Sequence, residues 1–135
     1  MDKSLLKIQE SFIKEMQKRE FYKSIETKEK LFSKIDAMIE EFVKPVLAYD
    51  ESVYERTKLN DSLVNYVLLD RNFELKVDND LVTLTNIKYR EEVLRVNYSS
   101  GKPQKLRINY SPELLTLKHM EDAIAKCLKD KDLSW

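Results

Sequence analysis

The sequence predicts an α+β domain: an N-terminal helical hairpin, a four-stranded antiparallel sheet made of two hairpins, and a C-terminal helix packed on the sheet. Three observations predict it. The first 44 residues contain neither glycine nor proline, and their apolar residues recur every three or four positions. Between Phe73 and Tyr110 the apolar period falls to two. From Leu114 onward it returns to the helical value. At 135 residues the chain is one domain, with a helical part over 1–50, the sheet over 72–111 and the last helix over 112–131.

The first helix is expected over 3–23, where Leu5, Ile8, Phe12 and Met16 form a stripe. A second stripe runs through Phe21, Ile25, Phe32, Ile35, Ile39, Phe42, Val46, Tyr49 and Val53, in steps of four and three once Lys28 fills the gap. The two stripes are out of phase. The break falls at Ser24–Thr27, because Thr27 can cap a new helix over 27–49 whose first turn holds Glu29. A single kinked helix is the alternative. Pro45 should kink or end the second helix. In residues 50–70, the segment LNDSLVNYVLL reads as a short helix capped by Asn60 or Asp61, with a buried strand as the other reading.

Phe73, Leu75 and Val77 then alternate with Glu74 and Lys76, and Val82 and Leu84 alternate with Thr83 and Thr85. A two-residue turn at Asn79-Asp80 sets Val77 opposite Val82 and Leu75 opposite Leu84, with all four on one face. The phase slips near Asn86, which implies a bulge or a turn. The second hairpin lies in VLRVNYSSGKPQKLRINYSP, residues 93–112, where LRVNYS returns as LRINYS around Gly101, the chain's one glycine. The expected register sets Val96 opposite Ile108, Leu94 opposite Tyr110 and Tyr98 opposite Leu106, and keeps Arg95 and Arg107 apart. Ser111 as cap and Pro112 in the first turn then start the last helix, with Leu114, Leu117, Ile124, Cys127 and Leu128 on its apolar side.

Charge excludes a bulk electrostatic function. Lysine plus arginine and aspartate plus glutamate both total 24, so nothing attracts the chain as a whole to nucleic acid or to an anionic membrane. One cysteine forbids an internal disulfide and suits a reducing, cytoplasmic setting. The N-terminal residues lack the features of a signal peptide, and no apolar run has the ~18 residues a membrane span needs. A single glycine leaves no glycine-rich phosphate loop, and no metal or other cofactor is implied.

Four constellations remain. The repeated ribbon carries Arg95, Asn97, Lys102, Lys105, Arg107 and Asn109 without an acid, a set able to pair with bases and phosphates; an ordinary solvated strand face is the preferred reading. The heptad stripe, at Phe32, Ile35, Ile39, Phe42 and Val46, serves either as core or as a seam with a second copy. Glu74 and Lys76 point to one side of a strand, as in metal-dependent nucleases where such a pair, with an upstream acid such as Asp61 or Asp70, holds Mg²⁺ and activates water. His119 and Cys127, with Asp122 or Asp130, make an incomplete metal set, and about 12 Å of helix separates them, too far for a thiol and its base. The sequence therefore favours a small non-enzymatic module that binds another protein through its helices and forms a homodimer through 27–49. Its glycine-poor composition, rich in Lys, Glu and Asn, suits an accessory or regulatory protein of a phage or mobile element. The rivals are nucleic-acid binding through 93–111 and a nuclease centred on Glu74 and Lys76.

Overall fold

The computed structural model describes residues 2–99, 103–105 and 113–129. Two helices, α1 (Lys3–Ser24) and α2 (Lys28–Leu47), meet at the expected break. Asp2 caps the first, its carboxylate accepting from the Ser4 amide at 2.6 Å. The Thr27 hydroxyl caps the second, accepting from the Lys30 amide at 3.2 Å. Pro45 lies in the last turn of α2, and the helix ends two residues after it.

After a 3₁₀ turn at Glu51–Val53 the chain runs up and down as β1 (Tyr54–Asn60), β2 (Leu63–Leu68), β3 (Arg71–Asp78), β4 (Leu81–Asn86) and β5 (Glu91–Asn97). Two short strands follow, β6 (Gln104–Lys105) and β7 (Glu113–Leu114), before α3 (Leu117–Leu128). All pairs are antiparallel, and the strand order in the sheet is the order in the chain. The class is thus the expected one, with five long strands in place of four.

The β3–β4 hairpin has the register read from its alternation, with Val77 opposite Val82 and Leu75 opposite Leu84. The phase slip is real: a register shift falls between Leu84 and Thr85, and the turn Ile87–Arg90 follows Asn86. Three turns need a left-handed residue, and the chain places Leu69 (φ 54°), Asn79 (φ 53°) and Arg90 (φ 54°) there. Asn tolerates this conformation; Leu and Arg do so at a cost of about 1–2 kcal/mol each.

Three expectations are corrected. Residues 60–70 form no helix but the β1–β2 turn and strand β2. Val64, Tyr66 and Leu68 are buried on one face while Leu63, Asn65 and Val67 are half-buried on the other, an alternation hidden by apolar residues on both sides. The register after β5 sets Val96 opposite Lys105 and Asn97 opposite Gln104, rather than Val96 opposite Ile108. The cause is Tyr98, whose amide donates to the Asp80 carbonyl and whose ring turns into the core, so the chain is already back beside β5 at Gln104. Ile108 and the rest of 106–112 lie outside the described residues, as do Ser111 and Pro112. The last helix starts later than expected because Glu113–Leu114 pairs with β6. Its cap is Thr116: the Thr116 hydroxyl accepts from the His119 amide, and the Thr116 amide donates to His119 Nδ1.

Both α2 and α3 pack on one face of the sheet. From α2 come Leu31, Ile35, Ile39 and Val43; from α3 come Met120, Ala123, Ile124 and Cys127. They meet Val64, Tyr66, Phe73, Leu75, Val82, Leu84, Leu94 and Val96. At the end of α3, two side chains satisfy carbonyls the helix leaves open: Asn86 Nδ2 donates to Lys126 at 3.1 Å and Arg71 Nε to Leu128 at 2.9 Å. One polar cluster ties α2 to the sheet edge. Asp36 accepts a two-pronged bond from Arg56 (3.0 and 2.8 Å) and a 2.6 Å bond from the Tyr66 hydroxyl. Glu40 accepts a hydrogen bond from the Tyr54 hydroxyl (3.3 Å) and forms an ion pair with Arg56 (3.1 Å).

Removing the Asp36 carboxylate takes the acceptor from the Tyr66 hydroxyl and leaves Arg56 with Glu40 alone. Asp36→Ala should cost about 2–3 kcal/mol in urea unfolding, since bonds to charged groups are worth roughly that; a loss near zero would show the cluster to be ornamental. Burial, with the acids Asp36 and Glu40 adding to it, raises the phenol pKa of Tyr66 and Tyr54, and burial with the Glu29 charge raises that of Tyr98. Folding thus favours their neutral forms. The stability this contributes is complete below the unfolded value of about 10 and is lost as pH rises past it. An absorbance titration at 295 nm should show these three ionising only as the fold opens.

Candidate functional site

Helix α1 has no buried residue. Every side chain from Asp2 to Glu20 is exposed, and only Phe21 and Tyr22 in its last turn rest against the core. The exposed residues include Leu5, Leu6, Ile8, Phe12, Ile13 and Met16, all between 40% and 68% accessible. At roughly 100° per residue these six fall within an arc of about 160°, and Lys3, Lys7, Lys14 and Lys18 fall on the opposite side. The stripe lies where the sequence places it, and it covers neither α2 nor the sheet.

The base of α1 is held firmly. Ile25, just after the helix, is fully buried, and the buried Tyr98 hydroxyl donates to its carbonyl at 2.7 Å. The Ser24 hydroxyl donates to the Phe21 carbonyl at 2.6 Å. Phe21 meets Tyr22 edge to face, and Lys34 of α2 lies over the Phe21 ring. Lys28 Nζ donates to the Asn79 carbonyl at 2.5 Å and pairs with Asp80, tying the corner to the β3–β4 turn. By the same 100° geometry Phe21 and Ile25 sit on the side of α1 away from its apolar stripe. The body therefore grips one side of the helix foot and turns the stripe outward.

The expected seam on α2 is corrected. Phe32, Ile35 and Ile39 are 8%, 0% and 2% accessible inside this chain's own core, and Val46 packs against that core. The sheet takes the α2 stripe because α2 lies directly across it. Phe42 alone of the five is open, at 51%, beside a groove of about 260 Å³ between α2 and α3 lined by Met38, Ile124 and Leu128. A larger groove, about 610 Å³, separates α2 from the β1–β3 edge. Its cations are already engaged: Arg56 with Asp36 and Glu40, Lys58 with Asp61, and Lys28 with Asp80.

The remaining sequence candidates separate as follows. Arg95 and Asn97 lie on β5 in the interior of the sheet; Arg95 pairs with Glu92 at 3.6 Å, and Asn97 Oδ1 accepts from the Ser99 amide at 2.7 Å. Lys105 lies at a register position opposite Val96, and Lys102, Arg107 and Asn109 lie outside the described residues. Glu74 is opposite Asn65 and Thr85, and Lys76 is opposite Leu63 and Thr83. Asp61 and Asp70 occupy turns at opposite ends of the sheet, and a hydrogen bond from Lys88 holds the Asp70 carboxyl below the usual range. Among the described residues no three His, Cys, Asp or Glu side chains gather as a metal-binding group. His119 serves the α3 cap through Nδ1, and Asp122 pairs with Lys118; Asp130 lies outside the described residues. Cys127 is buried, and burial with the nearby Glu91 charge pushes its thiol up to about 12.

No family model, curated protein or solved structure matches the chain. Among the described residues no helix is long and apolar enough to cross a membrane.

The Cys127 thiol should resist an aromatic disulfide reagent at pH 8 in the native protein and react at once in denaturant. Prompt native reaction would mean that α3 leaves the sheet readily.

Proposed function

We propose that this chain is a non-enzymatic protein-binding module in which the α/β body is a stand and α1 is the recognition element. One observation carries the reading: six large apolar side chains share one exposed side of a helix that touches the core only through Phe21 and Tyr22 in its last turn. A helix in water owes most of its stability to packing of such a face, so the stripe calls for a covering surface. At ~150–250 Å² for a large side chain, half exposed, the six present roughly 600 Å² of apolar area, at the top of what monomers ordinarily leave open. The helix-in-groove mode of recognition reads anchors at this spacing.

A photoreactive phenylalanine analogue in place of Phe12, in the full chain and in the cells that make it, tests this reading. It should give a discrete protein adduct, reduced at least tenfold when Ile8 and Met16 are changed to Glu. Because these side chains are exposed, the variants should unfold within about 0.5 kcal/mol of the parent. Absence of any protein adduct would end the reading.

A further inference from the structure

We infer that the partner of α1 is α1 of a second copy, laid antiparallel about a two-fold axis between residues 10 and 11. The inference rests on the binding role of α1 argued above and names its occupant. The area fits: a standard interface takes about 800 Å² from each partner, and roughly 600 Å² of apolar stripe with its flanking Gln9, Glu15 and Arg19 supplies that.

The pattern of the stripe fits a two-fold axis. In an antiparallel pair whose positions add to 21, Leu5 comes level with Met16 of the second copy, Ile8 with Ile13, and Gln9 with Phe12. Two levels on each side of the axis are apolar against apolar, Leu5 with Met16 and Ile8 with Ile13, while Phe12 meets Gln9 beside the centre and Leu6 meets Glu15. An isologous contact of this kind closes after two copies.

Charge selects the direction. Arg19 falls on the same side as the stripe at its C-terminal end, where Glu15 of its own helix holds it at 3.3 Å, and the cap Asp2, whose carboxylate accepts from the Ser4 amide, lies at the other end. Antiparallel pairing brings Arg19 level with Asp2 of the second copy, whereas parallel pairing would set Arg19 against Arg19 and Glu15 against Glu15. Antiparallel pairing also opposes the two helix dipoles. The four lysines at 3, 7, 14 and 18 stay on the side away from the seam, exposed to water. The outward stripe keeps the two bodies clear of the seam.

Light scattering at tens of micromolar should give twice 16.1 kDa, and Phe12→Glu should give 16.1 kDa while its near-ultraviolet circular dichroism shows the sheet and its two helices still packed. Direction is read by disulfides in a Cys127→Ala background. Chains carrying Leu5→Cys should cross-link to chains carrying Met16→Cys, and Leu5→Cys chains alone should not, since antiparallel pairing holds the two copies of position 5 ~16 Å apart along the axis. A Leu5→Cys self-cross-link would overturn the antiparallel assignment. A monomeric parent chain would overturn the inference, as would a monomer that sediments with phosphatidylcholine–phosphatidylserine vesicles. A Phe12 adduct to a different protein would do the same while leaving the binding role of α1 standing.

Discussion

The width of the sheet governs this structure. Five long strands at ~4.8 Å spacing make a face about 19 Å across, and two helices packed ~10 Å apart fill it. Helix α2 lies over β3 and β4 and reaches the β1 edge through Asp36 and Glu40; α3 lies over β3, β4 and β5. No room remains on that face for a third helix. Helix α1 is nonetheless joined to α2 by a corner of only three residues, and the corner is pinned by Ile25, Tyr98 and Lys28. Its outward direction follows from these two facts together.

How much of this could be read beforehand depends on where each element draws its stability. The boundaries of α1 and α2 were legible because Asp2, Thr27 and the apolar spacing are local signals. The β3–β4 register was legible because alternation on both strands agreed with one turn. β1 was illegible for a different reason. Arg56, on the side of β1 that faces α2, is charged, and it is accommodated there only because Asp36, twenty residues earlier, meets it. No local pattern announces a strand whose inward residues are polar. β2 failed by excess, being apolar on both faces. The chain's return after β5 depended on Tyr98 reaching Ile25, a contact across 73 positions.

The candidate site shows the same division. Its residues were visible as a stripe at Leu5, Ile8, Phe12 and Met16, but a stripe does not say which surface it covers. Two stripes compete for one sheet face. α2 wins it because its stripe continues through Leu31, Ile35, Ile39 and Val43 with no charge in the buried row, and because Asp36 and Glu40 on its flank match Arg56 and the tyrosines. The competition is settled by shape and charge over the whole fold, which is why α2 had seemed the better candidate for a seam between copies.

The order of strands in the sheet repeats their order along the chain. Each long strand pairs with the one just made, so most closure loops are short and cost little entropy. The helices differ in timing. α1 is synthesised before α2 and the sheet, and α2 must wait some thirty residues for β3. At a synthesis rate of ~5–20 residues per second, the apolar sides of both are uncovered on the ribosome for seconds. For α2 that interval ends when β3 and β4 arrive. For α1 the described fold brings nothing to cover it, so an apolar side that emerges before the sheet is also the one the finished fold leaves open.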